Sequence, residues 1–301
     1  FPTALRERFR DAIAQHRLRR EIVATAITNS MVNRVGATFV SELADKTGMG
    51  VADIARAYLI VRDSFSLRDI WAAVEALDNK AEAQAQIRAM LATRRLIERS
   101  VAWILRQQGR GLDISQDVAH LKPGLAELES QLDAAIFDDA RAVIDARAKG
   151  FVDAGFPEDL ARRVARLNLW AAGLDIIRIA DQAGRGVTEV AAVYFETGRR
   201  LGLAWLRDGA SRMPASNHWQ KQAVGAIVDD LYTLQADLAV RALQDAPSGA
   251  AGTEAVEAWV GHRQAPVDRI DQLVSELKAL DQVDLSMLAV ANRNLRGLAT
   301  G

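Results

Sequence analysis

The acidic residues of DDLYTLQADLAV (229–240) come nearest to a reactive constellation. Asp229 and Asp230 are adjacent, and Asp237 follows two helical turns later. Carboxylates on one helix are oxygen ligands of the kind a hard cation such as Mg²⁺ takes. No further acid stands close enough to the pair to complete a ligand set, and a solvated acidic face competes with the metal reading. FDDAR (137–141) lacks a third acid as well. His16, His120, His218 and His262 are far apart, and none forms an i, i+4 pair or an HExxH. The glycine pairs Gly48/Gly50, Gly109/Gly111 and Gly184/Gly186 lack the third glycine of a dinucleotide fingerprint and follow no strand. Each reads as a helix end. Without cysteine the chain has no disulfide, thiolate metal site or cysteine nucleophile. The expectation is therefore no catalytic residue, no cofactor-binding residue and no metal ligand in these 301 residues.

The elements that would carry such groups are helices. Half of the residues are hydrophobic, and no alternating β-branched run stands out, so the fold class expected is all-α with no sheet. Helical spacing covers 3–16, 18–47, 51–64, 66–78, 80–108, 113–121, 124–150, 157–182, 187–208, 216–244, 252–280 and 283–299. Pro2, Pro123, Pro157, Pro214, Pro247 and Pro266 fall at helix starts or in connections, where proline is tolerated. Gly48 suits a C-cap, Ser66 with Asp69 a capping pair, and 245–253 (DAPSGAAGT) a linker. The six tryptophans, Trp71, Trp103, Trp170, Trp205, Trp219 and Trp259, sit beside leucine and alanine and are expected in the core.

ADKTGMGVADIARAY (44–58) can be laid on ADQAGRGVTEVAAVY (180–194) at an offset of 136. In both, a helix ends at a glycine, turns through a second glycine, and a new helix runs to a tyrosine. Two pseudo-equivalent helix–turn–helix halves are expected: residues 1–112, then 113–245, with 246–301 packing back on them. Two copies do not make a solenoid, which needs shorter and more numerous repeats.

EIVATAITNSMVNRVG (21–36) is helical but carries two amides within its apolar pattern. At 100° per residue, Ile22, Ala26, Asn29, Asn33, Gly36, Ala37 and Val40 share one stripe, and Ile27, Met31, Val35 and Phe39 form another. This predicts a helix buried on two sides. A buried amide without a partner costs roughly 1–3 kcal/mol, so Asn29 and Asn33 would bond to each other, to another helix of this domain or to a domain outside these residues. Gly36 would let a neighbouring backbone come close. Asn29, Asn33 and Gly36 are thus the candidate contact face.

Lys+Arg 38 against Asp+Glu 39 argues against nucleic acid or an anionic membrane as the main partner. No apolar run reaches the roughly 18 residues that span a bilayer. FPTALRERFRDA lacks an initiator methionine and a signal-peptide shape, which suggests a cytoplasmic piece of a longer or processed chain.

Several segments carry a resemblance: RREIVATAITNSMVNRVGATFVSEL (19–43), TGMGVADIARAYLIVRDSF (47–65), IWAAVEALDNK (70–80), RRLIERSVAWILR (94–106), VAAVYFETGRRLGLAWL (190–206), DDLYTLQ (229–235) and DLSMLAVANRNLRGL (284–298). Together they resemble the C-terminal region of the large bacterial NAD-specific glutamate dehydrogenases, over nearly the whole chain. The resemblance implies a parent enzyme that deaminates L-glutamate oxidatively with NAD. It also implies that the catalytic lysine and aspartate and the Rossmann fold lie elsewhere, and Lys80 matches only as a helix–turn feature. The partners implied are the catalytic domain of the same chain and further copies in a homo-oligomer. Two other readings stand beside it. One is a free-standing helical scaffold. The other is a Mg²⁺-dependent enzyme using Asp229, Asp230 and Asp237, since an all-helical chain with an aspartate pair resembles isoprenoid synthases.

Overall fold

Helical periodicity without sheet signals becomes an all-α architecture. A computed structural model describes residues 3–214, 217–247, 250 and 252–300. It contains α1 (Thr3–Arg8), α2 (Arg10–Ala14), α3 (Arg19–Val35), α4 (Phe39–Thr47), α5 (Val51–Ser64), α6 (Leu67–Glu75), α7 (Ala83–Gln107), α8 (Ile114–Ala135) and α9 (Asp138–Asp153). There follow α10 (Glu158–Trp170), α11 (Gly173–Ala183), α12 (Val187–Arg200), α13 (Leu203–Arg212), α14 (His218–Asp245), α15 (Thr253–Gly261), α16 (Gln264–Lys278) and α17 (Leu285–Thr300). Among the described residues there is no strand.

Several expected helices are broken. The span 3–16 divides at Phe9, and 18–47 divides at Gly36, whose φ of 96° no helix contains. The span 187–208 divides at left-handed Gly202, 157–182 at Ala171 and Ala172, and 252–280 around Arg263. A break of two or three residues leaves the apolar pattern of both flanks intact, so periodicity reads straight across it.

The opposite error occurs at Pro123, which lies inside α8 and not between helices. Leu121, Leu125, Leu128 and Leu132 are all buried, so one packing stripe continues through the proline and outweighs its lost N–H bond. The helix expected over 124–150 ends instead at Ala135, where Arg141 Nη2 donates to the carbonyls of Asp133 and Ile136 at 2.8 and 3.2 Å. Those bonds satisfy orphan carbonyls of the α8 terminus. Gly48 is a left-handed C-cap as expected. Ser66 is not a side-chain cap; its φ is 47°, and its carbonyl accepts from the Asp69 N–H. Of the expected linker, Ser248, Gly249 and Ala251 lie outside the described residues, as does Pro2 of the proline set.

The chain forms two units, Phe1–Lys122 with Arg147–Ala171, and Pro123–Ala146 with Ala172–Gly301. In the first, α7 is central. Its Ala85, Ala89, Leu96, Ile97, Val101 and Ile104 are buried at helical spacing against α5, α6 and α10. Trp71 Nε1 donates to Thr93 Oγ1 at 3.2 Å, and Phe65 meets Trp170 edge-on at 5.0 Å. In the second unit α14 is central, with Leu231, Leu234, Leu238 and Ala242 turned toward α12, α13 and α17. Trp259 is fully buried, while Trp219, expected in the core, is 76% exposed in the first turn of α14.

Polar groups fix the register of this second core. Gln235 is buried on α14, and its Nε2 donates to the Tyr194 carbonyl at 2.7 Å while Oε1 accepts from Arg207 at 2.5 Å. Glu196 is fully buried and held by both arms of the Arg199 guanidinium at 2.6 Å. Gln235 fits because Gly198 has no side chain; a methyl there would stand 2.5 Å from Gln235 Nε2.

Gly198→Ala is therefore expected to lower stability by about 1–3 kcal/mol through overpacking. Gly225→Ala, inside α14 with open space around its Cβ, is expected to raise it by about 0.5–1 kcal/mol. Denaturant midpoints of the two variants against the parent test the pair.

Candidate functional site

The candidate contact face lies on α3. Met31 and Val35 are buried on this helix and Phe39 and Leu43 continue the stripe on α4, so one side of α3 faces the core. The other stripe faces outward: Ile22 is 43% exposed, Ala26, Asn29 and Asn33 are exposed, and Gly36 is half-buried. The expectation of two buried sides is corrected. Within the first unit α3 is covered on one side, and its amides are exposed. The hydrogen bond between α3 and α5 comes from a neighbouring residue, with Ser30 Oγ and Tyr58 OH 2.7 Å apart. Burial raises the Tyr58 phenol above its ordinary range, with the Ser30 bond opposing the rise. Gly36 owes its identity to its positive φ, and the nearest atom to a side chain there is Arg94 Nη1 at 3.6 Å, not a backbone.

Asn29 and Asn33 are brought together on the rim of an open groove of about 640 Å³ between α3, α5 and α6. Val23, Ala26, Ile27 and Leu59 supply its apolar surface, and Arg34, Arg62, Arg68 and Glu75 its charge. Arg34 Nη1 is 2.6 Å from Glu75 Oε1, and its guanidinium lies 4.7 Å over the Trp71 ring. Arg62 grips Asp63 with both arms at 2.8 Å, and Arg68 reaches the same carboxylate at 3.6 Å. Each arginine already faces a carboxylate, and the Tyr58 phenol holds its proton. The lining thus offers hydrogen bonds, charge and apolar surface, which suits binding and not proton transfer.

The aspartates of α14 are not gathered into a site. Asp230 accepts from Arg296 at 2.5 Å and from Asn292 Nδ2 at 3.0 Å on α17, and Asp237 is exposed further along. Among the described residues no group of three or more His, Asp or Glu could hold a metal ion. Among them, too, no helix is long and apolar enough to cross a membrane. The sequence reading missed Ser30 with Tyr58 and the Arg34–Trp71–Glu75 cluster. The signal present was Ser30 and Arg34 four apart on α3, but their partners lie 28 and 41 residues on for Ser30 and Arg34 respectively, beyond any local pattern.

A family model described as glutamate dehydrogenase, C-terminal, matches residues 1–297. The NAD-specific glutamate dehydrogenase of Pseudomonas aeruginosa is 40% identical over 300 residues, 99% of this chain and 18% of that protein. That of Halomonas elongata is 36% identical over 299 residues, and that of Mycobacterium tuberculosis 32% over 296. They cover 99% and 98% of this chain, which in turn spans 18% of each.

Because Asn33 is exposed, Asn33→Leu is expected to change the stability of this region by less than about 0.5 kcal/mol. Met31→Ala on the covered side is expected to cost about 2–5 kcal/mol. Urea titration of both compares the two sides of one helix.

Proposed function

The chain belongs to the family of glutamate dehydrogenase C-terminal regions, and from that we propose that it is a non-catalytic helical module of an NAD-dependent glutamate dehydrogenase. The full polypeptide would convert L-glutamate to 2-oxoglutarate and ammonia, with NAD and the reacting groups held outside these residues. The reading is supported by the extent of the match, since the chain spans only 18% of each relative. It is supported also by chemistry: a dinucleotide fold needs a parallel sheet with a glycine-rich first turn, and the described residues are helical.

The observation that carries the module's role is the outward stripe of α3. Ile22, Val23 and Val32 are each 43–49% exposed, beside the amides of Asn29 and Asn33. A helix with apolar surface on two sides and cover on one suits docking. We take the catalytic domain of the same polypeptide as its main partner, with further copies of the chain as the homo-oligomeric one, in the cytoplasm. A free-standing scaffold would show the same surface but a natural chain of its own size.

The mass of the natural protein on a denaturing blot tests this. A band several times heavier than 32.8 kDa is expected, and a band near 32.8 kDa overturns the reading. Titration calorimetry of residues 1–301 with NAD is expected to show no heat of binding; saturable binding would return a cofactor site to this region.

A further inference from the structure

We propose that the outer face of α4 and α5 is covered, in the natural polypeptide, by a helix of the kind that α8 lays on α11 and α12. The inference rests on the module reading and adds a second docking surface and the chemistry of its occupant.

The two helix pairs correspond closely. A shift of 136 positions carries α5, Val51–Ser64, onto α12, Val187–Arg200. It carries the left-handed C-cap Gly48 (φ 68°) onto the left-handed C-cap Gly184 (φ 62°), and their N–H groups bond to the carbonyls of Ala44 and Ala180, again a shifted pair. The N-cap Gly50 (φ −73°, ψ 154°) falls on the N-cap Gly186 (φ −67°, ψ 146°). Left-handed Ser66 falls on left-handed Gly202. With the same turn and glycine caps, and second helices of equal length, what covers one pair indicates what the other can take.

In the second unit the pair is covered. Ile176, Ile177, Ala180 and Ala191 are buried, and Val187 and Thr188 are half-buried. The cover is α8. A methyl on its Gly124 would lie 2.9 Å from Ile177 Cδ1 and 3.6 Å from Val187 Cγ2, and Thr188 Oγ1 donates to Glu127 Oε1 at 3.1 Å. Leu125 and Leu128 crowd Gly173 at the start of α11.

In the first unit the corresponding residues are open. Val51 is 63% exposed, Ser41 and Ala52 are exposed, and Val40, Ala44 and Ala55 are half-buried. Apart from Ser41 they are apolar, and all are small enough for a helix to approach closely. The occupant fitted to them carries a glycine flanked by leucines, as α8 does. A second copy's α8 is not free to serve, because its Leu125 and Leu128 are fully buried in their own unit. Most of each relative's polypeptide lies outside the matched region, so the helix is assigned there.

The test uses the full-length natural protein. Val51→Cys introduces a thiol into a region that has none. Its alkylation, read by mass spectrometry on the peptide bearing residue 51, is expected to be at least tenfold slower in the native protein than in urea. A photo-reactive maleimide at that thiol is expected to join a helical segment outside residues 1–301 of the same polypeptide. Adding Ala55→Arg is expected to abolish both effects. Alkylation as fast in the native protein as in urea overturns the proposal, and so do cross-links confined to residues 1–301 of either copy. Asn33→Cys separates the readings: if residue 33 is protected and residue 51 is not, docking through α3 stands and only this inference fails.

Discussion

Burial of one apolar stripe per helix is the constraint on which this structure depends. A helix satisfies its own backbone except at its ends, so side-chain contacts do most of the work of tying one to the next. Chains of this kind settle around long central helices whose buried positions recur at 3.6-residue spacing, here α7 and α14. Shorter helices are then held by what they add to those two. Among the described residues few polar side chains are buried, and of these Gln235 and Glu196 are hydrogen-bonded to Tyr194 and Arg199. Gln235 ties α14 to α12 and α13, while the apolar stripes supply most of the favourable free energy.

The same constraint gives the uncovered surfaces their meaning. Alanine and valine at exposed helix positions are ordinary when scattered. On α3 and along α4 and α5 they are grouped, beside helices whose opposite sides are well packed. A module of a longer polypeptide would be expected to look this way, with its own core complete and some stripes reserved for other parts of the chain.

The fold class was legible because helical period and the lack of alternation are local properties. The ends at Gly48 and Gly184 were legible too, since a left-handed C-cap favours glycine strongly. Breaks at Ala171 and Ala172 leave no such mark, because those residues serve equally well inside a helix. Pro123 misled in the other direction: its local penalty is real, but a leucine stripe that continues on both sides decides the outcome. At the candidate site the pairing of Asn29 with Asn33 on one face followed from spacing alone. Whether that face was inward could not follow, since Ile22 and Val32 look the same in sequence whether another helix lies over them or not. The Arg34–Trp71–Glu75 cluster needed two helices distant in sequence, α3 and α6, and was invisible to local reasoning.

The exposed indole of Trp219 has a spectroscopic consequence. Trp71, Trp170 and Trp259 are buried and should emit toward the blue, shielded from iodide. Trp219, at 76% exposure in the first turn of α14, should emit toward the red and be quenched readily. The chain therefore carries an internal optical reference beside an optical reporter. A neighbour settling over the start of α14 would register as a blue shift and a loss of iodide quenching, without any label.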